Sequence, residues 1–440
     1  MAKVKNTDEL SLTDQRRKAL EIVEAGLGAI DTQKVVNDKV SLKGSKLCVG
    51  DSLCSLEDTG RIFLVGIGKC AYEAAAALEP ILKERLDGGL VIGIGDYRGQ
   101  LRKVKVLTGT HPQPTEQNVA AAKELIQLLS NLRENDLVLV VVSGGGSTLL
   151  CQPSTNTCVE EEMILRTLTD KGATIKEINT VRKHTSLARG GYLAKYAYPA
   201  QVIGLVFSDV PGDNLQFIAS GPTVKDSSTV EDADKVLEKY GVLEACGVEH
   251  CGLSETPKDD KYFRKVTNIL LVSNQTALAA MSRQAERLGY ETTVCDSCLG
   301  GEASVVGKAI AASIGQAKPK TALLYGGETT VTIHHPDNPK PAQQTKGTGG
   351  RNQELAISAI RFVKADELVL SLASDGRDNG SAAGAIADST SRKQAERLGL
   401  DAADYLSRHD SYSFFHRLKG QIITGNTGSN VSDLVVAIKG

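Results

Sequence analysis

A chain of 440 residues, 41% apolar and 24% charged, is long enough for two or three domains with substantial cores, which excludes a disordered, peptide-sized or disulfide-scaffold protein. Fifty-one Lys and Arg against 53 Asp and Glu leave a formal net charge of −2, so the overall balance offers no attraction to nucleic acid or to an anionic membrane. With 4% aromatic residues and no Trp, base-stacking platforms and membrane-interface belts are excluded as well.

The nine cysteines, Cys48, Cys54, Cys70, Cys151, Cys158, Cys246, Cys251, Cys295 and Cys298, are odd in number and scattered, which predicts reduced thiols in a cytoplasmic compartment. Cys295 and Cys298 form a Cys-x-x-Cys with no second pair, so incidental small apolar residues outweigh a zinc site. The first eight residues contain no apolar stretch of the kind a secretion signal needs. The most apolar run, Leu137–Val142, is far too short to cross a bilayer, so a soluble protein without a membrane partner is expected.

In chain order, strand-like runs occupy residues 61–65, 90–94, 103–107, 137–142, 202–207, 268–272, 291–295, 322–325, 368–372, 421–423 and 434–438. Several are apolar on both faces, as central parallel strands are. Segments with helical spacing separate them. Residues 115–129, for example, put Val119, Ala122, Ile126 and Leu129 on one stripe behind a Thr115 cap. The alternation predicts an α/β fold of two α/β domains, 1–250 and 265–440, with the last strand able to join either sheet. The boundary falls in the least patterned stretch, 246–265, where Pro257 precedes the charged run 258–261. A polar insertion at 334–345 reads as a surface loop. Its neighbouring His334 and His335 would point to opposite faces of a strand, which favours solvated side chains over a metal site.

Chemistry-bearing residues follow the strands. Gly66-Ile67-Gly68-Lys69-Cys70-Ala71 fits Gly-x-Gly-x-x-Ala, but the acid a dinucleotide site expects some 20 residues on is not clearly placed, the next strand ending at Asp96. Lys69 reads better as a cation aimed at a carboxylate or phosphoryl group. In Ser143-Gly144-Gly145-Gly146-Ser147, three residues without Cβ let amides approach an anion between two hydroxyls, and no P-loop motif is present. Asp209 and Asp213, four residues apart in Ser208-Asp209-Val210-Pro211-Gly212-Asp213, suit a Mg²⁺ ion held through one or two oxygens. Ser374-Asp375-Gly376-Arg377-Asp378 repeats the theme. Arg182-Lys183-His184 places three basic side chains in a row where a small anion could bind, with one of them facing solvent.

These loops, together with Ile178-Asn179-Thr180-Val181-Arg182-Lys183-His184, Ile218-Ala219-Ser220-Gly221-Pro222-Thr223, Gly326-Gly327-Glu328-Thr329-Thr330-Val331, Gly349-Gly350-Arg351-Asn352-Gln353-Glu354 and Thr427-Gly428-Ser429-Asn430-Val431-Ser432-Asp433, form an ordered series. It resembles the glycerate 2-kinase family with its C-terminal MOFRL domain, whose members are sometimes labelled hydroxypyruvate reductase. The resemblance runs from about residue 61 to the C-terminus. It implies a Rossmann-like N-terminal domain, a smaller C-terminal MOFRL-type α/β domain and MgATP-dependent phosphorylation of D-glycerate, usually to 2-phosphoglycerate, in a cleft between the domains. The family's important Lys and Arg match Lys69 and Arg351. Cys70 stands where many members have Ala, and the stretches at 374–381 and 425–430 depart from the family pattern.

The expected mechanism follows the demands of phosphoryl transfer, positioning and charge neutralisation. ATP phosphates lie on Gly66, Gly68, Ser143, Gly144, Gly145, Gly146 and Ser147, and Mg²⁺ on Asp209 or Asp213. Lys69 and Arg351 flank the glycerate carboxylate and the transferring phosphoryl, with Arg182, His184 and Asn352 on the substrate. Asp209 or Asp375 accepts the proton of the attacking hydroxyl. Partners are then ATP and D-glycerate, and a homo-oligomer is compatible with the sequence. Alternatives are an NAD(P)H-dependent hydroxypyruvate reductase, with His111 or His184 as acid, and a non-catalytic protein that binds a nucleotide or sugar acid.

Overall fold

The computed structural model describes residues 2–95, 97, 101–248, 250–332 and 347–440. Asp96 and the polar insertion at 334–345 lie outside them. The chain divides into two compact units, one of Thr32–Leu271 and one of Met1–Asp31 with Val272–Gly440.

The first unit opens with the helix Thr32–Lys39, followed by an antiparallel meander of β1 (Val40–Lys43), β2 (Lys46–Val49) and β3 (Ser52–Ser55). Two-residue loops join the strands, with Gly44 and Gly50 at φ 60° and 54° where tight hairpins require the left-handed region. Strands of only four residues, with Ser and Lys among them, give too little apolar periodicity to mark a strand.

The main sheet follows, from β4 (Ile62–Ile67), β5 (Leu86–Ile94), β6 (Val104–Gly109), β7 (Leu137–Val142), β8 (Gln201–Phe207) and β9 (Val266–Val272), in the order β6-β5-β4-β7-β8-β9. The pairs β6–β5, β5–β4, β4–β7 and β7–β8 are all parallel. Every residue of β7 is buried, so its six apolar side chains serve both faces of the sheet. Val65, Ile92, Val140, Leu125 and Leu129 meet in the core. Leu125 and Leu129 come from the helix Glu116–Leu129, which starts in a capping box of Thr115 and Asn118. Its buried stripe is Asn118, Ala121, Ala122, Leu125 and Leu129, so the expected Val119 and Ile126 sit only at the margin. Because β9 completes this sheet, the unit closes at Leu271 rather than near residue 250.

The second unit holds a mixed sheet of β10 (Glu291–Leu299), β11 (Thr321–Gly327), β12 (Glu367–Ala373), β13 (Gly384–Asp388), β14 (Gln421–Ile422) and β15 (Asp433–Lys439), ordered β10-β11-β15-β12-β13-β14. Only β10–β11 is parallel. The last strand, β15, therefore lies inside this sheet. β13 was not foreseen. Its Gly-Ala-Ile-Ala-Asp sequence has weak strand propensity, yet a Cβ at Gly384 would run into the Ser371 carbonyl of β12, so close strand pairing selects it.

The first 31 residues belong here, not with the stretch that follows them in the chain. The helix Asp14–Ala29 buries Leu20, Ile22, Val23 and Leu27 and meets the helix Asn274–Arg287, where Gly26 leaves room for Met281. Arg16, almost fully buried, grips Asp388 with Nε on Oδ2 at 2.7 Å and a terminal nitrogen on Oδ1 at 2.8 Å.

Candidate active site

Parallel pairing sets the carboxyl ends of β4, β5, β7 and β8 along one edge of the main sheet, and two glycine loops meet there. β4 runs two residues beyond the expected strand, so Gly66 lies within it. A Cβ at Gly66 would press on Val91 and Ala71, which makes it a packing glycine rather than a ligand contact. Gly68, at φ 116°, is required because a Cβ would collide with the Ser143 hydroxyl. That hydroxyl donates to the Ile67 carbonyl at 3.1 Å and accepts from the Cys70 amide at 3.3 Å, while the Lys69 amide donates to the Gly144 carbonyl at 2.8 Å. The two loops are thus tied into one ledge. Cys70 is buried behind it, and burial first, with nearby carboxylates adding to it, pushes its thiol up to about 12, so it is an inert filler.

Lys69 is brought onto the glycine run. A Cβ at Gly145 (φ 78°) would lie 3.4 Å from Lys69 Cγ, 3.4 Å from His111 Cδ2 and 3.0 Å from Ile94 Cδ1. The Gly146 amide is committed to the Ser143 carbonyl at 3.2 Å, which corrects the expectation that it faces a phosphate. The amides of Gly144 and Gly145 donate to no described residue, and Gly144 is buried. Ser147 turns its hydroxyl to Ser220 at 2.9 Å.

Asp209 and Asp213 follow β8 on the same edge, both partly exposed. Among the described residues no group of three His, Cys, Asp or Glu is placed to hold a metal. Mg²⁺ asks for only one or two protein oxygens and completes its shell with phosphate and water, and Asp209 and Asp213 are the two carboxylates that follow this strand.

The basic triplet divides. Lys183 is buried in an ion pair with Asp226, and the Asp226 carboxyl stays below its ordinary value because Lys183 and the Ser228 groups outweigh the opposing effect of burial. His184 is fully buried, with Nδ1 on the Thr180 carbonyl at 2.9 Å and Nε2 3.4 Å from Glu255. Its expected contact with substrate is therefore corrected to a structural one, since it presents no exposed atom. Arg182 alone of the three is partly exposed.

In the second unit, the ends of β11 and β12 and the start of β15 share an edge. Arg351, the first residue of the helix Arg351–Ala359, is engaged by two carboxylates. Nε reaches Asp433 Oδ2 at 2.5 Å, one terminal nitrogen Asp433 Oδ1 at 3.0 Å, and the other Glu328 Oε1 at 2.7 Å. Burial works against the guanidinium charge, but Asp433 and Glu328 overcome it and hold its pKa above the ordinary value. Burial pushes the Asp433 carboxyl up to about 6 against the pull of Arg351. Asn352, expected on the substrate, is buried. Its amide and side chain donate to Asp378 Oδ1 at 3.0 and 3.3 Å and its oxygen accepts from Ser371, so it holds the helix start in place. Asp378 also accepts from the Gln353 amide at 2.8 Å. Asp375 sits on the same edge, accepting from the Arg377 amide at 3.0 Å. Glu328, Asp378 and Asp433 all lay within motifs already noted, but nothing in one dimension marked them as partners of Arg351 and its helix.

Residues 18–251 match the family described as a domain of unknown function (DUF4147), and residues 321–433 match the MOFRL family. The chain is 36% identical to a glycerate 2-kinase of Pyrococcus horikoshii, over 97% of each chain. It belongs to the glycerate kinase family of phosphotransferases. A mouse glycerate kinase is 32% identical over 98% of this chain and 94% of its own. The crystal structure of a Thermotoga maritima glycerate kinase superposes with a TM-score of 0.81 at 33% identity, covering 96% of this chain and 99% of that one.

Proposed function

We propose that this member of the glycerate kinase family transfers the terminal phosphoryl group of ATP to D-glycerate, at the 2-hydroxyl, with Mg²⁺. The observation that carries the reading is the ledge at the edge of the main sheet: Lys69 lies over Gly145, beside amides of Gly144 and Gly145 that no described residue accepts from. Fixed N–H donors and a nearby cation are what a transferring phosphoryl group needs, because its charge is spread over oxygens and little covalent work remains for the protein. Asp209 and Asp213 would hold the magnesium ion, which when bound neutralises phosphate charge. Asp209 or Asp375 accepts the proton of the attacking hydroxyl. Arg351, kept charged by Asp433 and Glu328, offers its remaining N–H groups to an oxyanion.

No helix among the described residues is long and apolar enough to cross a membrane, and all nine cysteines are free thiols, which supports a reducing, cytoplasmic setting. The test is ADP release with ATP and D-glycerate, with and without a magnesium chelator, run beside NADPH oxidation with hydroxypyruvate. Phosphorus NMR of the product assigns the position. Hydroxypyruvate-dependent NADPH oxidation without ADP release would overturn the reading.

A further inference from the structure

Arg182 stands apart from the buried basic groups of its unit. Lys183 has Asp226, and Arg189, 1% exposed, has Glu161 at 2.7 Å. The guanidinium of Arg182 makes no hydrogen bond or ion pair with any described residue. Its place in the last turn of the helix Ile175–His184 does not account for it. The Thr180 carbonyl there is taken by His184 Nδ1, the Val181 carbonyl by the Thr185 amide, and that of Arg182 by Arg189 and the Thr185 hydroxyl. Nor does charge pairing account for it. Burial first, and the neighbouring positive charge of Arg189 second, lower its pKa to about 10, while Glu161, the one carboxylate acting on it, is already engaged by Arg189. Two guanidinium groups therefore share a single carboxylate. An arrangement of this kind costs stability unless an anion completes it.

The cluster is tied to the glycine ledge. Arg189 donates from Nε to the Ser147 carbonyl at 2.7 Å and from a terminal nitrogen to the Arg182 carbonyl at 3.0 Å, so one side chain joins the two segments. Asn179, one turn before Arg182, accepts from the Ser220 hydroxyl at 2.9 Å, and that hydroxyl meets Ser147 at the same distance. Arg182 keeps partial exposure while these neighbours are buried or nearly so.

We infer that Arg182 is a binding residue for an oxyanion of one of the two substrates, the carboxylate of the hydroxy acid or a phosphate of the nucleotide, engaged through the planar fork of its guanidinium. The inference rests on the phosphotransferase reading for the identity of those substrates. His184 and Lys183, its neighbours in sequence, serve only to fix the helix that carries it.

The experiment compares the wild type with Arg182→Gln and Arg182→Lys, measuring melting temperature alone, with D-glycerate, with ATP and with inorganic phosphate, and KM for each substrate by ADP release. Arg182→Gln is expected to melt no lower than wild type without ligand, because it removes a half-buried charge that lacks a partner. Its KM for one substrate should rise by about ten- to a hundredfold with the other changed little, and the substrate affected identifies the oxyanion. Arg182→Lys should recover part of the loss. A lowered melting temperature with both KM values unchanged would make the residue structural and overturn the inference. If the wild type releases no ADP with glycerate, the substrate reading fails on its own. Stabilisation by inorganic phosphate, present in wild type and lost in Arg182→Gln, would still uphold the site, and equal or absent stabilisation in both would overturn it.

Discussion

Asp433, the first residue of the last strand, holds Arg351 through two nitrogens of its guanidinium, at 2.5 and 3.0 Å, and so fixes the orientation of a side chain that begins a helix 82 residues earlier. Arg351→Lys keeps the charge but loses the fork, leaving a buried carboxylate with one point contact. It should lower kcat about tenfold or more and also lower the melting temperature, by roughly 2–4 °C for each kcal/mol lost in a unit of this size. Steady-state rates and thermal melts on one preparation check both halves, and an unchanged melting temperature would show that Asp433 does not depend on the fork.

Lys69→Met retains most of the stem that packs over Gly145 and removes only the ammonium. Turnover should fall by about a hundred- to a thousandfold with the fold intact, the usual scale for removing one group that meets transition-state charge. Single-turnover rates with far-ultraviolet dichroism would decide it, and near-normal turnover would remove Lys69 from the chemistry.

Gly145→Val introduces a β-branched side chain at φ 78°, against Ile94 and His111 and over the amides proposed to meet phosphate. Nucleotide affinity measured by calorimetry should disappear. Gly145→Ala, sharing the strain but not the bulk, should retain weaker binding, and if valine left affinity unchanged the run would be a turn and nothing more.

Asp226 is held below its ordinary pKa chiefly by Lys183 despite its burial, so it is ionised in the folded state at pH values where the unfolded chain already takes up a proton. Its stabilising contribution is therefore complete above the unfolded carboxylate range, near 3.9, and is lost as pH falls through the lower folded value. Urea unfolding of wild type and Asp226→Asn between about pH 6 and 3 should show wild type losing its advantage only at the acid end of this window. Parallel curves across the whole range would refute the assignment.

Arg16→Met leaves the buried carboxylate of Asp388 without its cation and should cost about 3–5 kcal/mol. Chemical denaturation measures it, and a loss under 1 kcal/mol would show that the pair contributes little.

How much of this was legible depended on range. β7 was readable residue by residue because a strand buried on both faces is apolar throughout, and the βα alternation gave the α/β class. Lys69, Gly145 and Asp209 could be gathered because each follows a parallel strand, and parallel pairing sends strand ends to one edge. The partners of Arg351 could not. Glu328 and Asp433 lie 23 residues before and 82 after it, and only the antiparallel pairing of β11 and β15 brings them together. His184 failed for the opposite reason: a basic run looks like a surface patch until Asp226 and Glu255, tens of residues away, are seen to bury two of its members.

The helix Asp14–Ala29 emerges from the ribosome long before the helix Asn274–Arg287 against which it packs. At about 5–20 residues per second, the roughly 245 residues between them take on the order of tens of seconds to synthesise. During that interval the stretch Thr32–Leu271 has everything it needs to close its own sheet, while the leading helix holds an apolar face with nothing to cover it. Assembly then proceeds from the middle of this stretch outward, and the helix Asp14–Ala29 keeps its apolar face uncovered until the helix Asn274–Arg287 has been made.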